Sequence, residues 1–522
     1  MVILYAVLAV AIIGASAYPF IAGYAELDDE NRLAVIGTVA ITAWPPIMTF
    51  FLGPILLGGP SSALFPSLWY APALAVLVIT LARNVNRPGL TIDLPVALIL
   101  TVSASALFPI LAGHGKSDLL RWGLGATLLL LTLTKGTGVS VAAVALGCRI
   151  ALVSISVSVL AAILLNPAIV VACREDKCGS AGRVLTSDFA GNGNVLGLTV
   201  ALILPFAVVG VAWYRAAGFV VGVLLIGELA GSRTAFIGVG IVVAMHFALR
   251  VARGRMRSAV LGIGLVSALL LSLAPAALRY GDASFSYRGM LWNNGKQMIA
   301  QRPFIGHGPL AWEHFGLTTI FDANYSPHNA WLDMTVSVGM WGVVVVVGAV
   351  VLKLFLVSRA EREVLIVYLC GVIGACTLES LFVPYFFGII PFTAILPLYV
   401  GPGRLAFEKF SRAKGSGSGG LRQPEGAGPR PADGRGPGRP VPGPTGGRPR
   451  LRVVPDLEET QVIPRPVPMG TGPVTPMPVG SRPVTPVRPV PMGQDLMRPV
   501  QMRPVPMRPE TRVVERPEMR LR

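Results

Sequence analysis

The sequence predicts an all-α membrane protein that crosses the bilayer about 12 to 13 times and ends in a disordered tail. Of its 522 residues, 53% are hydrophobic and only 14% are charged, and the mean hydropathy is +0.64. Soluble domains carry about 25% charged residues, so this composition excludes a soluble enzyme as the main body. Long apolar runs recur from the first residue to about residue 400, as expected of a polytopic helical protein.

The spans follow one another closely along the chain. Residues 2–22 lack the basic residues that precede the apolar stretch of a signal peptide, so we interpret them as an uncleaved first span. The short apolar segment 136–147 is predicted to be an interfacial helix. The predicted spans are 2–22, 33–56, 65–82, 93–112, 119–135, 150–171, 194–212, 216–230, 234–249, 258–276, 329–357, 363–381 and 384–400.

Charge and proline content divide the chain into a membrane domain, residues 1–401, and a tail, residues 402–522. The tail holds 21 of the 44 Lys and Arg residues, 10 of the 27 Asp and Glu residues and 25 of the 44 prolines. Its net charge is therefore +11, against +6 for the domain, and the high pI does not indicate nucleic-acid binding. We predict a disordered tether, with a ligand for a Pro-recognising partner protein or an anchor on anionic lipids as alternatives.

Basic residues in short loops predict the orientation in a cytoplasmic (inner) membrane. The densest cluster comprises Arg250, Arg253, Arg255 and Arg257, which places that loop in the cytoplasm. The same assignment places the tail inside and two large loops, about 172–193 and about 277–328, outside. It also places a further set of basic residues inside: Arg83, Arg87, Lys135, Arg149, Arg215, Lys353, Arg359 and Arg362.

The two outer loops carry the polar and aromatic residues from which a site could be built. Residues 286–301 are predicted to form a helix lying along the membrane, and Gly306–Pro309 to form a turn. Cys173 and Cys178 are expected to form a disulfide in the first loop, because that loop faces an oxidising compartment in this topology. Their spacing is no metal signature, and no metal or cofactor is predicted.

Two residues at the outer ends of spans are the leading candidates for chemistry. Arg233 begins a span, where a guanidinium either reaches the interface or clamps phosphate oxygens with two parallel hydrogen bonds. His328 closes the large outer loop, where it is either structural or a general base, since imidazole titrates near neutral pH.

Weaker candidates lie nearby. Arg288 and Arg302 in the large loop either bind headgroups or belong to the site. Glu228 and Glu379, near outer span ends, are each interpreted as a buried partner for an arginine rather than as a catalyst.

Six short motifs follow one another along the chain: AGNGNVLG at 190–197, SRTA at 232–235, YR at 287–288, RPFIGHG at 302–308, HNAWL at 328–332 and GMWG at 339–342. Taken in order, these motifs resemble the O-antigen ligase and O-antigen polymerase superfamily of bacterial envelope proteins. The resemblance covers about 33–400 and is most specific over 230–345. Asn194 belongs to the first motif, in which Gly193 stands where many members carry proline.

The resemblance implies a GT-C-like, metal-independent glycosyltransferase that moves a glycan from a polyprenyl-diphosphate carrier to a lipid, glycan or protein acceptor outside the membrane. It assigns the diphosphate to Arg233 and Arg288 and catalysis to His328, with Arg302, Asn194 and Glu379 as possible supporting residues. Diphosphate as the leaving group fits a site with preorganised cations. The motifs leave open whether the protein is a ligase or a polymerase-type enzyme. A lipid-linked glycan transporter is the rival class, but such a protein would place its polar groups near the midplane.

Overall fold

The computed structural model describes residues 1–57, 64–85, 93–105, 139–173, 178–187, 191–308, 326–381 and 396–401, with the isolated residues 107, 111, 123 and 311 and the strand residues 319–320 and 323–324. All of them belong to the first of two units into which the chain divides, Met1–Gln423. The predicted span 119–135, most of the span 384–400 and the tail 402–522 lie outside the described residues.

The described part is built of helices. In chain order they are α1 (Val2–Ile21), α2 (Asp29–Thr42), α3 (Trp44–Ile47), α4 (Gly53–Leu56), α5 (Leu64–Val85), α6 (Leu94–Ser105), α7 (Val141–Leu165), α8 (Asn194–Ala207), α9 (Trp213–Leu229), α10 (Arg233–Val251), α11 (Arg255–Ala277), α12 (Ser284–Gln301), α13 (Ala330–Leu356), α14 (Arg359–Ala375) and α15 (Leu396–Tyr399). Short 3-10 segments, Ala22–Glu26 and Pro167–Ile169, and a π turn, Met48–Leu52, continue three of them.

Six described helical segments are long and apolar enough to cross a membrane: Val2–Glu26, Asp29–Leu56, Val141–Leu165, Arg233–Val251, Arg255–Ala277 and Ala330–Leu356. Shorter apolar helices and the 17-residue helices α9 and α14 pack among them. The fold is therefore the predicted all-α polytopic membrane protein. The largest apolar cluster joins α1, α2, α5, α7 to α10 and α14, and smaller clusters contain α6, α11 and α12. Large apolar side chains remain exposed on α11, as expected of a lipid-facing helix.

The helix ends separate into two groups of different chemistry. The starts of α8, α10 and α13 and the turn after α14 lie together and carry the polar candidates Asn194, Arg233, His328 and Glu379. At the other ends, basic side chains bind the last carbonyls of helices: Arg149 donates to Ala207 and Val209 after α8. We call these the site end and the basic end. Their separation agrees with the predicted sorting of basic residues to one side.

The first of the two loops predicted to lie outside contains three strands and a disulfide. Strands β1 (Val170–Ala172), β2 (Arg183–Ser187) and β3 (Gly191–Asn192) form an antiparallel sheet in the order β1-β2-β3. Cys173 and Cys178 are bonded, with their Cα atoms 5.0 Å apart, so the predicted disulfide is confirmed. In the second loop, β4 (Thr319–Ile320) pairs antiparallel with β5 (Ala323–Asn324).

Helix α12 confirms the predicted helix of the second loop but has a different course. A side chain at Gly295 would meet Pro327 and Leu332, and Met298 packs against Val336. The helix therefore follows the first turns of α13 in the same direction rather than lying flat. The reason is that its apolar side is buried on α13 instead of on lipid.

Helix α13 is interrupted where the turn after α12 reaches it. Gly339 has φ 71°, a backbone conformation that favours glycine, and the turn fills the break. His307 N–H donates to Val336 (2.7 Å), Met340 N–H donates to the Pro303 carbonyl (2.9 Å) and Gly308 N–H donates to Ser337 (2.9 Å). Polar backbone groups at membrane depth need such partners, so the break and the turn form one unit.

Two span predictions need correction. Residues 141–147 do not form a separate interfacial helix but belong to α7, which begins when the Ser140 side chain accepts from the Ala143 N–H at 3.1 Å. That N-cap satisfies an orphan donor, so the helix starts before the predicted residue 150. Helix α14 ends at Ala375 rather than at residue 381, which leaves Glu379 in the turn that follows.

Candidate functional site

The carboxylate of Glu379 joins three of the candidate residues at the site end. Its Oε1 accepts hydrogen bonds from Asn194 Nδ2 (2.7 Å) and from Arg288 Nη2 (2.9 Å). Its Oε2 lies 3.1 Å from His328 Nδ1. The Glu379 side chain is only 8% exposed, whereas those of Arg288 and His328 are 24% and 29% exposed. A buried carboxylate therefore holds two side chains that still face outward.

A second pair of bonds connects this group to Arg233. Ser232 caps α10, and its hydroxyl donates to Asn194 Oδ1 at 2.6 Å. The capping oxygen also lies 3.4 Å from the Ala235 N–H. The next residue, Arg233, is exposed, and within the described part of the chain its guanidinium makes no ion pair or hydrogen bond. Arg233 thus offers a permanent positive charge beside the Glu379 group.

His328 is held in an unusual backbone conformation by its neighbour. Its φ of 49° is left-handed, which costs a non-glycine residue of the order of 1 kcal/mol. Asn329 is fully buried, and its amide donates to the carbonyls of Ser272 (2.9 Å) and Cys376 (3.1 Å). Its Oδ1 accepts from the Leu332 N–H (3.1 Å) and so caps α13. These bonds fix the start of α13 against two other elements, and thereby fix His328.

Arg288 is placed by a close backbone approach at the start of α12. A side chain at Gly289 would overlap the Gly281 carbonyl, so only glycine fits there. Phe285 and Tyr287, just before Arg288, have φ values of 53° and 68°. The strained start turns Arg288 toward Glu379 and explains why the sequence carries the pair Arg288–Gly289.

The group has charges suited to an anionic ligand. Burial raises the pKa of the Glu379 carboxyl, but the His328 hydrogen bond and the charge of Arg288 outweigh burial and hold that pKa below its ordinary value. Glu379 is therefore a carboxylate at neutral pH. Arg288 pairs with this carboxylate, and Arg233 makes no ion pair among the described residues, so two guanidinium groups stand beside the one carboxylate of the Glu379 group.

Arg302 and His307 do not join the group. Arg302 is exposed at the end of α12, where its carbonyl accepts from Gly306. His307 Nε2 is bonded to the Met298 carbonyl at 2.8 Å. Both residues lie beyond the end of α12, near Met340. Met340 is about 16 Å along α13 from Asn329.

An apolar cavity of about 110 Å³ lies directly beneath the group, between α11, α13 and α14. It begins at Ala330, Trp331 and Cys376, which are neighbours of the Asn329 clamp, and continues to Leu354 near the basic end. Every lining side chain is apolar. The polar site end therefore opens onto a surface that suits a hydrocarbon chain.

Among the described residues, no cluster of three or more His, Cys, Asp or Glu side chains is arranged to hold a metal ion. The predicted metal independence stays a prediction.

Comparison with known families gives a match over residues 216–347, to the family model described as "Wzy_C: O-Antigen ligase". This segment contains Arg233, Arg288, Arg302 and His328 and coincides with the most specific part of the resemblance. The match supports the resemblance over residues 216–347: this segment of a multi-pass membrane protein is similar to the O-antigen ligase family. No curated protein and no solved structure matches the chain.

Some features of the group were missed by the sequence reasoning. Ser232 and Asn329 act through contacts with residues far away in the chain, although the motifs SRTA and HNAWL already contained both. Glu379 has the predicted arginine partner. The carboxylate of Glu228 accepts from Ser180 in the disulfide loop, and its pairing with an arginine stays a prediction.

Proposed function

We propose that the protein is a glycosyltransferase that moves a glycan from a polyprenyl-diphosphate carrier to an acceptor hydroxyl on the extracytoplasmic face of the cytoplasmic membrane. The observation that carries the proposal is the single buried carboxylate, Glu379, bonded to both His328 and Arg288. Such an arrangement joins a base and a cation, the two groups that this reaction needs. The O-antigen ligase match over residues 216–347 supports the reaction class.

His328 serves as the general base in this proposal. An ionised Glu379 only accepts hydrogen bonds, so the proton of a neutral His328 imidazole lies on Nδ1. Its Nε2 is then the unprotonated nitrogen, which takes the proton of the acceptor hydroxyl as that oxygen attacks the sugar carbon. Glu379 has the orienting role that a carboxylate has beside other catalytic histidines.

The arginines stabilise the departing diphosphate. As the bond between the sugar carbon and the phosphate oxygen breaks, negative charge grows on the diphosphate. The guanidinium of Arg233 has no ion pair among the described residues, and Arg288 uses one nitrogen for Glu379 and keeps further N–H donors for phosphate oxygens. Diphosphate is an activated leaving group, so no nucleotide or metal ion is needed in this scheme.

The carrier chain and the tail are placed outside this chemistry. The apolar cavity below Ala330 suits the first units of a polyprenyl chain while the diphosphate stays at the polar site end.

The tail 402–522 is proposed to be a cytoplasmic tether or the ligand of a Pro-recognising partner protein, without a part in the transfer.

The experiment is a transfer assay with the full-length protein in lipid nanodiscs. Polyprenyl-diphosphate glycan is incubated with candidate lipid, glycan and protein acceptors, and the products are identified by mass spectrometry. The expected product is acceptor joined to glycan, with release of polyprenyl diphosphate, in wild type but not in His328→Ala. Release of free glycan without an acceptor adduct, or equal products from both proteins, would contradict the proposal. A glycan chain lengthened on the carrier would identify a polymerase-type reaction instead.

A further inference from the structure

We propose a second anion-binding site, for the phosphate group of a lipid or a small phosphate ester, in a cavity at the basic end. The cavity has a volume of about 530 Å³ and lies between the end of α8, the turn from α10 to α11 and the first turns of α14. Cavities of this size hold small ligands and lipid headgroups. Arg233 and Arg250 begin and end the same helix, about 26 Å apart along its axis, so this cavity is separate from the Glu379 group.

Three arginines line the cavity, and one acidic side chain offsets only one of them. Arg257 Nε is paired with Glu363 Oε2 at 2.7 Å. Arg250 donates one hydrogen bond, to the Val211 carbonyl at 3.2 Å, and keeps its other donors. The side chain of Arg253 is exposed and makes no ion pair or hydrogen bond in the described part of the chain. Two guanidinium charges are thus left for a ligand.

A buried histidine nitrogen provides a further atom that a ligand in the cavity could contact. His246 lines the same cavity, and its Nε2 is buried without a hydrogen-bond partner among the described residues. A buried polar atom without a partner costs about 1–3 kcal/mol, which a ligand oxygen in the cavity would recover. The first turn of α14 also lines the cavity, and the positive end of a helix dipole favours an anion.

The shape of the donors identifies the ligand class. Guanidinium groups bind phosphate oxygens with two parallel, charge-assisted hydrogen bonds, whereas a sugar hydroxyl or a neutral headgroup gains little from them. The cavity is at the membrane end that we assign to the cytoplasm, where anionic lipids supply phosphate groups. Soluble phosphate esters carry the same chemistry, and the experiment separates the two sources.

Arg255 provides a matched control. It belongs to the same turn and is exposed, but it does not line the cavity. Arg253→Gln and Arg255→Gln therefore remove the same charge from the same loop, and both keep the loop basic enough to orient the protein. Because the side chain of Arg253 makes no ion pair or hydrogen bond among the described residues, we expect its substitution to leave folding intact.

The test measures ligand affinity for the purified full-length protein by native mass spectrometry. The probes are phosphatidylglycerol, phosphatidylcholine and, as the soluble arm, inorganic phosphate. We expect phosphatidylglycerol to bind more tightly than phosphatidylcholine, with an affinity about tenfold lower in Arg253→Gln and unchanged in Arg255→Gln. Competition by inorganic phosphate assigns the site to the phosphate group alone, and its absence assigns the site to a lipid headgroup.

Two results would overturn this site. One is an equal loss of phosphatidylglycerol affinity in Arg253→Gln and Arg255→Gln, which would indicate adsorption to a basic surface. The other is equal binding of phosphatidylglycerol and phosphatidylcholine by wild type. Neither result would contradict the proposed transfer reaction, because the transfer assay tests the Glu379 group and not this cavity.

Discussion

The imidazole of His328 and the carboxylate of Glu379 are bonded through Nδ1 and Oε2 at 3.1 Å, although 51 residues separate them in the chain. The same carboxylate holds Arg288 and, through Asn194 and Ser232, the start of the helix that carries Arg233. One buried charge therefore sets the geometry of the proposed base and of both proposed phosphate ligands.

The first prediction concerns Glu379 as a positioning residue. In Glu379→Gln the neutral amide no longer fixes the proton on Nδ1 of His328, so the base loses its orientation. We expect kcat to fall at least about tenfold, as part of the about 10²–10⁴-fold that general base catalysis contributes, with a smaller effect on KM. The control is Glu228→Gln, which removes an acidic group at the site end that is bonded to Ser180 instead. Equal kcat losses in the two variants would show a general effect of charge removal.

The second prediction follows from the pKa of the same carboxyl. Because this pKa is lower in the folded protein than its ordinary value near 4.5, the carboxylate stabilises the fold above that pH, and the contribution is lost as the pH falls through the lowered pKa. Wild type should therefore unfold at a higher temperature than Glu379→Gln at neutral pH, and the difference should shrink as the pH falls below about 4.5. Thermal unfolding in detergent measures it. A difference that stays constant with pH would contradict the assignment.

The third prediction separates three arginines. Arg233→Ala and Arg288→Ala should each weaken the binding of polyprenyl diphosphate about tenfold or more, since each removes charge-assisted hydrogen bonds. Arg233→Lys keeps the charge but loses the planar pair of donors, so its affinity should also fall. Arg302→Ala should bind like wild type, because Arg302 lies outside the group. Direct binding of the sugar-free carrier measures these effects, and an unchanged affinity in either of the first two variants removes that arginine from the site.

The fourth prediction concerns the tail. Truncation after residue 412 removes most of the Pro-rich region and should leave membrane insertion and transfer unchanged. A protein that inserts normally but has lost the transfer reaction would contradict the tether proposal. Labelling of a C-terminal tag from outside intact cells would contradict the predicted topology.

The sequence predicted the elements of the site better than their connections. Arg233 was recognised because a charged residue near membrane depth is costly and therefore informative. Arg288 and His328 were assigned from the motifs of the resemblance, and Glu379 was interpreted as the partner of an arginine. Their meeting at one carboxylate was not predicted, because hydrophobic periodicity says nothing about which helix ends lie together. The left-handed φ of His328 was likewise not predicted, since it depends on the hydrogen bonds of Asn329 to two carbonyls that are distant in the chain.

The course of the second outer loop shows the same limit. The apolar side of residues 286–301 was recognised from its spacing, but the same spacing fits burial on lipid or on another helix. Contacts with α13 determine that the helix is buried on protein: Met298 packs against Val336, and the turn after α12 fills the break at Gly339. Glycine alone did not predict that break, because glycines are frequent in membrane helices.

The most direct test of the account is the pH dependence of single-turnover transfer in wild type, His328→Ala and His307→Ala. A general base must be unprotonated, so the wild-type rate should fall on the acidic side of neutrality. In His328→Ala we expect a rate about 10²–10⁴-fold lower and without this acidic decline, while carrier binding stays intact. His307→Ala, which changes a histidine of the same loop that is bonded to Met298, should keep the decline and most of the rate. A near-normal rate in His328→Ala, or an acidic decline that survives the substitution, would contradict the role of His328 as the base.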